Sequence, residues 1–221
     1  MSQPYALVFD LDGTLVHSLP DIHRAVGQLL EEQGKPPLDL ATVQRFVGNG
    51  VPTLVRRVAE ATVLGTDIHT LTVRMLQIYG ASSADLTRPY PGVIAALEHF
   101  RNAGHPMAVC TNKPEGPARH ILEVLDMAQF FQAVVGGDTL PQRKPDPTPL
   151  HHTFALLKLR GGVFVGDSEV DAATAQAAGV PFALFSQGYR KSPMAEIPHR
   201  WAFDAFDSLV ASLPRADLPA V

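Results

Sequence analysis

The stretch Phe9-Asp10-Leu11-Asp12-Gly13-Thr14-Leu15 follows Ala6-Leu7-Val8, a short apolar run that is typical of a buried β-strand. If the chain is still extended at Asp10, the carboxylates of Asp10 and Asp12 lie on the same side of it. Carboxylates this close repel each other unless a cation or a shared proton lies between them. Asp and Gly are also common in turns, so the stretch by itself indicates only a turn at a strand end. The rest of the chain favours a reactive site.

The amino-acid composition is that of an ordinary soluble globular protein. It has 221 residues, of which 46% are hydrophobic and 18% charged, enough for one large domain or a domain with an insertion. A net charge of -4 gives no reason to expect a nucleic-acid partner. The single cysteine, Cys110, excludes an intramolecular disulfide framework and a cysteine-rich zinc site, and we expect it to be a buried, inert thiol. Without a signal peptide or an apolar stretch long enough to span a membrane, the expectation is a cytoplasmic protein.

Helical periodicity dominates residues 17–86. The pattern predicts helices around Ile22 to Leu30, Ala41 to Phe46, Val51 to Val58 and Leu71 to Tyr79, with no strand between them. After Arg88-Pro89-Tyr90-Pro91-Gly92 the pattern changes, and helices alternate with apolar strands. The predicted strands are 107–111, 133–136, 163–167, 182–185 and 200–203, and the predicted helices are 93–103, 118–125, 149–157, 172–178 and 206–213.

This alternation predicts an α/β fold, a Rossmann-like doubly wound parallel sheet wrapped by helices. The first strand stands alone before the helical segment, so that segment is best interpreted as an insertion. We therefore expect a core of residues 1–16 and 87–221 and a helical cap domain of residues 17–86.

Reactive side chains occur at four points of the predicted core. They are Asp10 and Asp12 after the first strand, Thr111-Asn112-Lys113 after the second, Lys144-Pro145-Asp146-Pro147 before a helix, and Gly166-Asp167-Ser168 with Asp171. Each has an ordinary explanation by itself: a turn, a solvated lysine or a helix cap. Ligands bind at the carboxyl ends of strands in open α/β sheets, so their coincidence indicates one site.

This set of groups suits the transfer of a phosphoryl group. Oxygen ligands without His or Cys favour Mg²⁺, which also tolerates waters and a phosphate oxygen. A metal and Lys144 would offset the charge of the phosphoryl oxygens, and Thr111 could donate to one of them. One aspartate could then attack phosphorus and form an aspartyl-phosphate.

The four motifs resemble those of the haloacid dehalogenase superfamily, in the same order and over essentially the whole chain. The segment 17–86 is similar to that family's helical cap. More narrowly, Phe46-Val-Gly-Asn-Gly50, Val109-Cys-Thr-Asn-Lys-Pro114 and Val135-Gly-Gly-Asp-Thr-Leu-Pro-Gln142 resemble bacterial phosphoglycolate phosphatases. One departure is His17, where an aspartate is more usual. It is expected at the cap hinge, with little effect on the chemistry.

The resemblance implies a role for each motif residue. Asp10 would be the nucleophile and a metal ligand, while Asp12 would serve as general acid and base and bind Mg²⁺ through its backbone carbonyl. Thr111 and Lys144 would hold the phosphoryl oxygens, with Asn112 beside them. Asp167 would be the third protein ligand, and Asp171 would support the metal from behind its direct ligands or through water. The acid at Asp12 argues against a dehalogenase, which has no leaving-group oxygen to protonate.

The expected substrate is a small phosphorylated metabolite, with 2-phosphoglycolate favoured. Gly48-Asn49-Gly50 precedes a predicted helix, where free N–H groups would suit its carboxylate, although a plain turn is equally compatible. Arg56 and Arg57 most simply form a solvated face, with a substrate carboxylate as the alternative. Two alternative functions remain, a sugar-phosphate phosphatase and a β-phosphoglucomutase-like enzyme. The helical insertion of residues 17–86 disfavours a signalling receiver domain. The enzyme is expected as a monomer or a homodimer.

Overall fold

The computed structural model describes residues 4–81 and 84–213. Its strands are β1 (Ala6–Phe9), β2 (Val16–His17), β3 (Arg88–Pro89), β4 (Met107–Cys110), β5 (Ala133–Val135), β6 (Gly162–Gly166), β7 (Phe182–Phe185) and β8 (Trp201–Phe203). Its α-helices are α1 (Leu19–Glu32), α2 (Leu40–Phe46), α3 (Val51–Thr62), α4 (Ile68–Gly80), α5 (Val93–Asn102), α6 (Glu115–Val124), α7 (Thr148–Leu156), α8 (Glu169–Ala178) and α9 (Phe206–Ser212).

Six strands form one parallel sheet in the order β5-β4-β1-β6-β7-β8. The chain builds outward on one side of β1 and then returns to build the other side, which confirms the predicted doubly wound α/β fold. Because all six strands are parallel, their carboxyl ends lie along one edge. Strand β1, which Asp10 directly follows, lies between β4 and β6, so the carboxyl ends of these three strands are neighbours.

Alternate residues of each strand face opposite layers of helices. Leu7 and Phe9 of β1 pack with α5, α6 and α9 on one face, while Ala6 and Val8 pack with α7 and α8 on the other. Cys110 belongs to the second cluster and is fully buried, and burial raises the pKa of its thiol to about 11. This location fits the inert thiol expected from the sequence.

In the core, helices α6 and α8 each begin three residues earlier than their apolar periodicity predicts. Helix α6 begins at Glu115 although Pro117 follows two residues later, because proline is tolerated in the first turn of a helix. Helix α8 begins at Glu169 because Ser168 and Asp171 form a reciprocal capping box. Both segments therefore start at the edge of the sheet where the polar groups collect.

Helices α1 to α4 form a separate helical layer with its own apolar core, which includes Leu29, Val58 and Met75. Asp39 and Asp67 cap α2 and α4, each accepting a hydrogen bond from a backbone N–H three residues on. This layer corresponds to the predicted cap. Among the described residues, no helix is both long enough and apolar enough to cross a membrane.

A short antiparallel ribbon joins the cap to the core, which the sequence did not predict. Its strands, β2 and β3, pair Val16 with Pro89 and His17 with Arg88. Strands of two residues are too short to show a period, so the sequence carries no signal for this ribbon. Its His17 lies at the edge of the segment 17–86, which was expected to be helical. Buried Asp21 of α1 strengthens the junction by accepting hydrogen bonds from the backbone N–H and the hydroxyl of Thr87. The domain boundaries at residues 16/17 and 86/87 stay a prediction, and the ribbon lies beside both.

Candidate active site

The first aspartate loop is fixed by its close approach to β6. The Asp10 N–H donates to Val165 O, so the extended chain continues one residue beyond β1. Gly13 follows with φ +87°, and a Cβ there would lie 2.6 Å from Asp167 Oδ2. Only glycine fits this turn, because another side chain would displace Asp167. Thr14 then donates to Asp167 Oδ1 at 2.8 Å, which joins the first motif to the last.

Lys144 contacts Asp10, the candidate nucleophile, and is almost completely buried. Its Nζ atom is 2.9 Å from Asp10 Oδ1 and 2.6 Å from Asp171 Oδ1. The contact with Asp10 is an ion pair whose angles are not those of a hydrogen bond, so Asp10 Oδ1 has no hydrogen-bond partner among the described residues. Burial by itself lowers the pKa of the Lys144 ammonium, but the two carboxylates outweigh this effect and raise it. Lys144 is therefore a cation held at the site.

Asp171 holds both Lys144 and the start of α8. Its second oxygen accepts from the Ser168 hydroxyl at 2.6 Å and from the Ser168 N–H at 3.1 Å. Gly166 makes room for it, since a Cβ on Gly166 would lie 2.5 Å from the Asp171 Cβ. Both Asp171 oxygens thus have protein partners. This geometry suits a supporting position behind the metal site better than direct coordination.

Asp10, Asp167 and Asp171 form a cluster that could hold a divalent cation, with ligand atoms within 4.8 Å of one another. Burial, opposed by Lys144 and reinforced by Asp171, raises the pKa of Asp10 to about 6. Burial and the neighbouring Asp171 and Asp10 also raise the pKa of Asp167 well above its usual range. A cluster of buried carboxylates that repel one another, with an Asp10 oxygen that accepts no hydrogen bond from the described residues, fits a hard cation with oxygen ligands.

The carboxyl end of β4 contributes the next group of residues. Thr111 Oγ1 accepts from the Lys113 N–H at 3.2 Å, which leaves its own proton for an acceptor in the site. Asn112 Nδ2 donates to Lys144 O at 3.0 Å and to Gly48 O of the cap at 3.1 Å. Asn112 therefore joins the core to the cap while it lines the site.

Lys113 lies in the site, although its sequence motif by itself predicts no role for it. Its Nζ donates to both oxygens of Asp12, at 2.9 and 2.8 Å, and lies 4.5 Å from the centre of the Tyr79 ring of α4. Burial lowers the pKa of this ammonium, but Asp12 and Tyr79 together raise it above its usual range. Its position directly after Thr111-Asn112 was the available signal. Its buried pairing with Asp12 depends on residues distant in sequence.

The cap reaches the site through the segment Val47-Gly48-Asn49-Gly50, here named the cap loop. Gly48 and Gly50 line the cleft, as expected from the sequence. Asn49 is not among the lining residues, and its Oδ1 accepts from Arg57 Nη2 at 3.1 Å. Arg57 also donates to Phe46 O at 2.8 Å, so this arginine supports the cap loop, whereas Arg56 is exposed. Direct contact between Asn49 and substrate stays a prediction.

The cleft between cap and core is small, with a volume of about 60 Å³. Its floor contains Asp10, Asp12, Thr111, Asn112 and Lys113. The cap side is mostly apolar and consists of Ile22, Val47, Gly48, Gly50, Val51, Leu54, Met75 and Tyr79. The arrangement thus provides a charged floor and a water-excluding roof around a compact ligand.

A doubly wound sheet, paired aspartates after its central strand and a helical cap define a class of capped hydrolases. The haloacid dehalogenase-like hydrolase family matches residues 7–185, and the chain belongs to that family. A phosphoglycolate phosphatase of Cereibacter sphaeroides is 50% identical over 212 residues, covering 95% of this chain and 97% of the relative. One from Rhodospirillum rubrum is 45% identical over 93% of this chain and 89% of its own length.

A solved structure has the same architecture throughout. The crystal structure of a predicted phosphoglycolate phosphatase from Haemophilus somnus 129pt aligns with a TM-score of 0.90 and 31% identity. The alignment covers 96% of this chain and 98% of that one, so cap and core both correspond. The resemblance inferred from the four motifs is therefore confirmed at the level of the family and the fold.

Proposed function

We propose that this protein is a Mg²⁺-dependent phosphatase that hydrolyses 2-phosphoglycolate to glycolate and phosphate. The observation that carries the proposal is the convergence of Asp10, Lys144 and Asp12 at one end of the sheet, each held by a charged partner. The relatives named phosphoglycolate phosphatase, at 50% and 45% identity over almost the whole chain, support this choice of substrate.

The first half of the reaction transfers the phosphoryl group to the protein. An Asp10 carboxylate oxygen attacks phosphorus, the bond from phosphorus to the ester oxygen breaks, and Asp12 gives a proton to the departing glycolate oxygen. Lys144 and the Thr111 hydroxyl offset charge on the phosphoryl oxygens. Ser18 donates to Asp12 Oδ1 at 2.5 Å, and together with Lys113 it fixes the orientation of this acid.

The second half returns Asp10 to its starting state. Asp12, now ionised, takes a proton from water, and the hydroxide formed attacks phosphorus. The bond between the Asp10 oxygen and phosphorus breaks, which releases phosphate and regenerates both carboxyl groups. The cap covers these steps with apolar side chains, so water is admitted sparingly.

Asp10, Asp167 and the backbone carbonyl of Asp12 are the groups proposed to hold Mg²⁺, with Asp171 supporting them. When bound, the ion supplies positive charge that lowers repulsion between the nucleophile and the phosphate. Asp10 is then kept ionised despite its burial, as a nucleophile must be.

Sugar-phosphate phosphatase and β-phosphoglucomutase-like activities are less compatible with this cleft. Sugar hydroxyls need hydrogen-bond partners when buried, and most of the cap side chains lining the cleft are aliphatic. A second phosphate would need a cation from the cap, but Arg57 is engaged by the cap loop. The compact roof favours a short substrate.

A panel of phosphate monoesters, ranked by kcat/KM in Mg²⁺, tests the proposed substrate. We expect 2-phosphoglycolate to rank above glucose 6-phosphate and other sugar phosphates, because the latter bury unpaired hydroxyls. A higher kcat/KM for a sugar phosphate would overturn the choice of 2-phosphoglycolate while leaving a phosphatase in place.

Two asparagine variants test the proposed chemistry. Asp10→Asn is expected to abolish turnover and leave no acid-stable, base-labile phosphoenzyme, because the attacking oxygen is lost. Asp12→Asn should keep the fold but lose proton transfer, at a cost of about 10²- to 10⁴-fold in kcat. Near wild-type turnover by Asp10→Asn would exclude the covalent route.

A further inference from the structure

We propose that Lys113 and Tyr79 together bind the substrate carboxylate, and that they select phosphate esters of α-hydroxy acids over neutral phosphate esters. This inference rests on the proposed function and extends it to particular residues. Lys113 comes from the core directly after β4, whereas Tyr79 comes from α4 of the cap. The two side chains therefore form one carboxylate-binding site only when the cap lies over the core.

Charge in the cleft supports this assignment. Among the described residues that line the cleft, Lys113 is the one cation, whereas Asp10 and Asp12 are acidic. Lys144 is buried against Asp10 and Asp171 at the phosphoryl end, where it is already committed. Lys191 lines an adjoining cavity with Asp167 and Ser168, so Lys113 is the counter-charge available to an anionic group within this cleft.

Hydrogen-bonding capacity supports it as well. The ammonium of Lys113 has three N–H donors, and its contacts with Asp12 Oδ1 and Oδ2 use two of them. The Tyr79 hydroxyl is buried, in a residue only 4% exposed, and has no hydrogen-bond partner among the described residues. Burial of a hydroxyl without a partner is unfavourable, so a ligand acceptor is the natural complement. A carboxylate accepts from both donors at once.

The position of Lys113 fits the chemistry of the substrate. Asp12 must reach the leaving oxygen to protonate it, and Lys113 touches Asp12 through both carboxylate oxygens. In an ester of an α-hydroxy acid, one carbon separates the leaving oxygen from the carboxylate carbon. A group that touches the acid is therefore well placed to touch the carboxylate. An ester with its carboxylate farther along the chain would carry it toward the aliphatic roof of Val51, Leu54 and Met75.

The test compares 2-phosphoglycolate with ethyl phosphate, which has the same ester skeleton and a methyl group in place of the carboxylate. For Lys113→Met we expect kcat/KM for 2-phosphoglycolate to fall about 10- to 100-fold, on the scale of a lost hydrogen bond to a charged group. For Tyr79→Phe we expect about a 10-fold fall on the same scale. Any loss that Lys113→Met causes through Asp12 is shared by both substrates, so the measured quantity is the ratio of the two kcat/KM values, which should fall several-fold in both variants. Lys113→Arg should recover part of the preference for 2-phosphoglycolate.

Lys191→Met tests the other lysine near Asp10 and Asp12, because Lys191 Nζ donates to Val47 O of the cap loop and lines the adjoining cavity with Asp167 rather than the cleft that contains Lys113. This substitution should lower kcat/KM for both substrates by the same factor, because it acts through closure of the cap. Equal losses on both substrates in Lys113→Met and Tyr79→Phe would overturn the inference and leave Lys113 as a positioning residue for Asp12. If Lys113→Met does not fold, the kcat/KM values of Tyr79→Phe for the two substrates test the inference on their own. A wild-type enzyme without preference for 2-phosphoglycolate over ethyl phosphate would instead overturn the proposed function.

Discussion

Two buried lysines divide the acidic groups of this site between them. Lys144 lies between Asp10 and Asp171, and Lys113 pairs with Asp12. Each ammonium loses its hydration on burial, and the nearby carboxylates repay that cost only because they are close and correctly placed. The pairing also keeps the nucleophile candidate and the acid candidate in separate electrostatic environments.

Lys144→Met should destabilise the metal-free protein by about 3–5 kcal/mol, because it leaves buried carboxylates without their counter-charge. Denaturant unfolding measured by circular dichroism gives this free energy. Lys35→Met is the control: this lysine is half-buried, its Nζ donates to Val63 O at the surface, and the change should stay within about 0.5 kcal/mol. A loss below about 1 kcal/mol for Lys144→Met would show that the carboxylates become neutral by taking up protons.

The cap loop is the element that joins the two layers at the site. Asn112 and Lys191 of the core hold its Gly48 and Val47 carbonyls, while Arg57 of α3 holds it from the cap side through Phe46 O and Asn49 Oδ1. These contacts fix a backbone that contains two glycines with positive φ. The loop is therefore ordered by its neighbours, since its own sequence favours many conformations.

Arg57→Met should loosen the cap loop and lower kcat/KM for 2-phosphoglycolate by about 1–3 kcal/mol, the scale of lost hydrogen bonds from a charged donor. Arg56→Met removes an identical charge from an exposed neighbour on the same helix and should leave kcat/KM nearly unchanged. Because Arg57 acts through closure, ethyl phosphate should lose as much as 2-phosphoglycolate. A loss confined to 2-phosphoglycolate would place Arg57 in contact with the carboxylate.

At the scale of the whole molecule, cap and core meet over a set of buried acidic groups. Burial raises the pKa of Asp10 to about 6, above its ordinary value near 3.8, so the folded protein holds this proton more tightly than the unfolded chain does. Without metal, the free energy of unfolding contributed by Asp10 therefore falls as the pH rises from about 4 through 6. A bound cation would reverse this, because it favours the ionised carboxylate.

Magnesium should accordingly raise the melting temperature more at about pH 7.5 than at about pH 5, where protonation of Asp10 competes with the ion. Thermal unfolding in EDTA and in saturating Mg²⁺ at both pH values measures the difference. Added potassium chloride at equal ionic strength controls for general screening. An equal gain at both pH values would contradict a metal site that contains Asp10.

Activity should disappear in EDTA and return with Mg²⁺, but poorly with Ca²⁺, whose looser coordination misplaces the nucleophile.

The sequence by itself determined the doubly wound core, the helical insertion and the four groups of polar residues, since these depend on local periodicity and on short spacings along the chain. Strand ends were predictable because a parallel sheet aligns them at one edge. Asp10, Asp12, Thr111, Lys144 and Asp167 could be predicted as site candidates on that basis. The boundaries of α6 and α8 were less accurate, because proline in a first turn and a capping box replace apolar periodicity there.

Only the tertiary structure decided which groups are partners. Asp12 and Lys113 are separated by 101 positions, and Asp10 and Lys144 by still more, so no local pattern reports their contact. Tyr79 looked like an ordinary apolar position of a cap helix, but packing places it over Lys113 with an unpartnered hydroxyl. Asn49 was expected beside the substrate carboxylate; packing gives its Oδ1 a partner in Arg57 of the cap, and its contact with substrate stays a prediction. The physical reason is that periodicity reports which face of an element is buried, whereas partner choice depends on the distances between elements once they have packed.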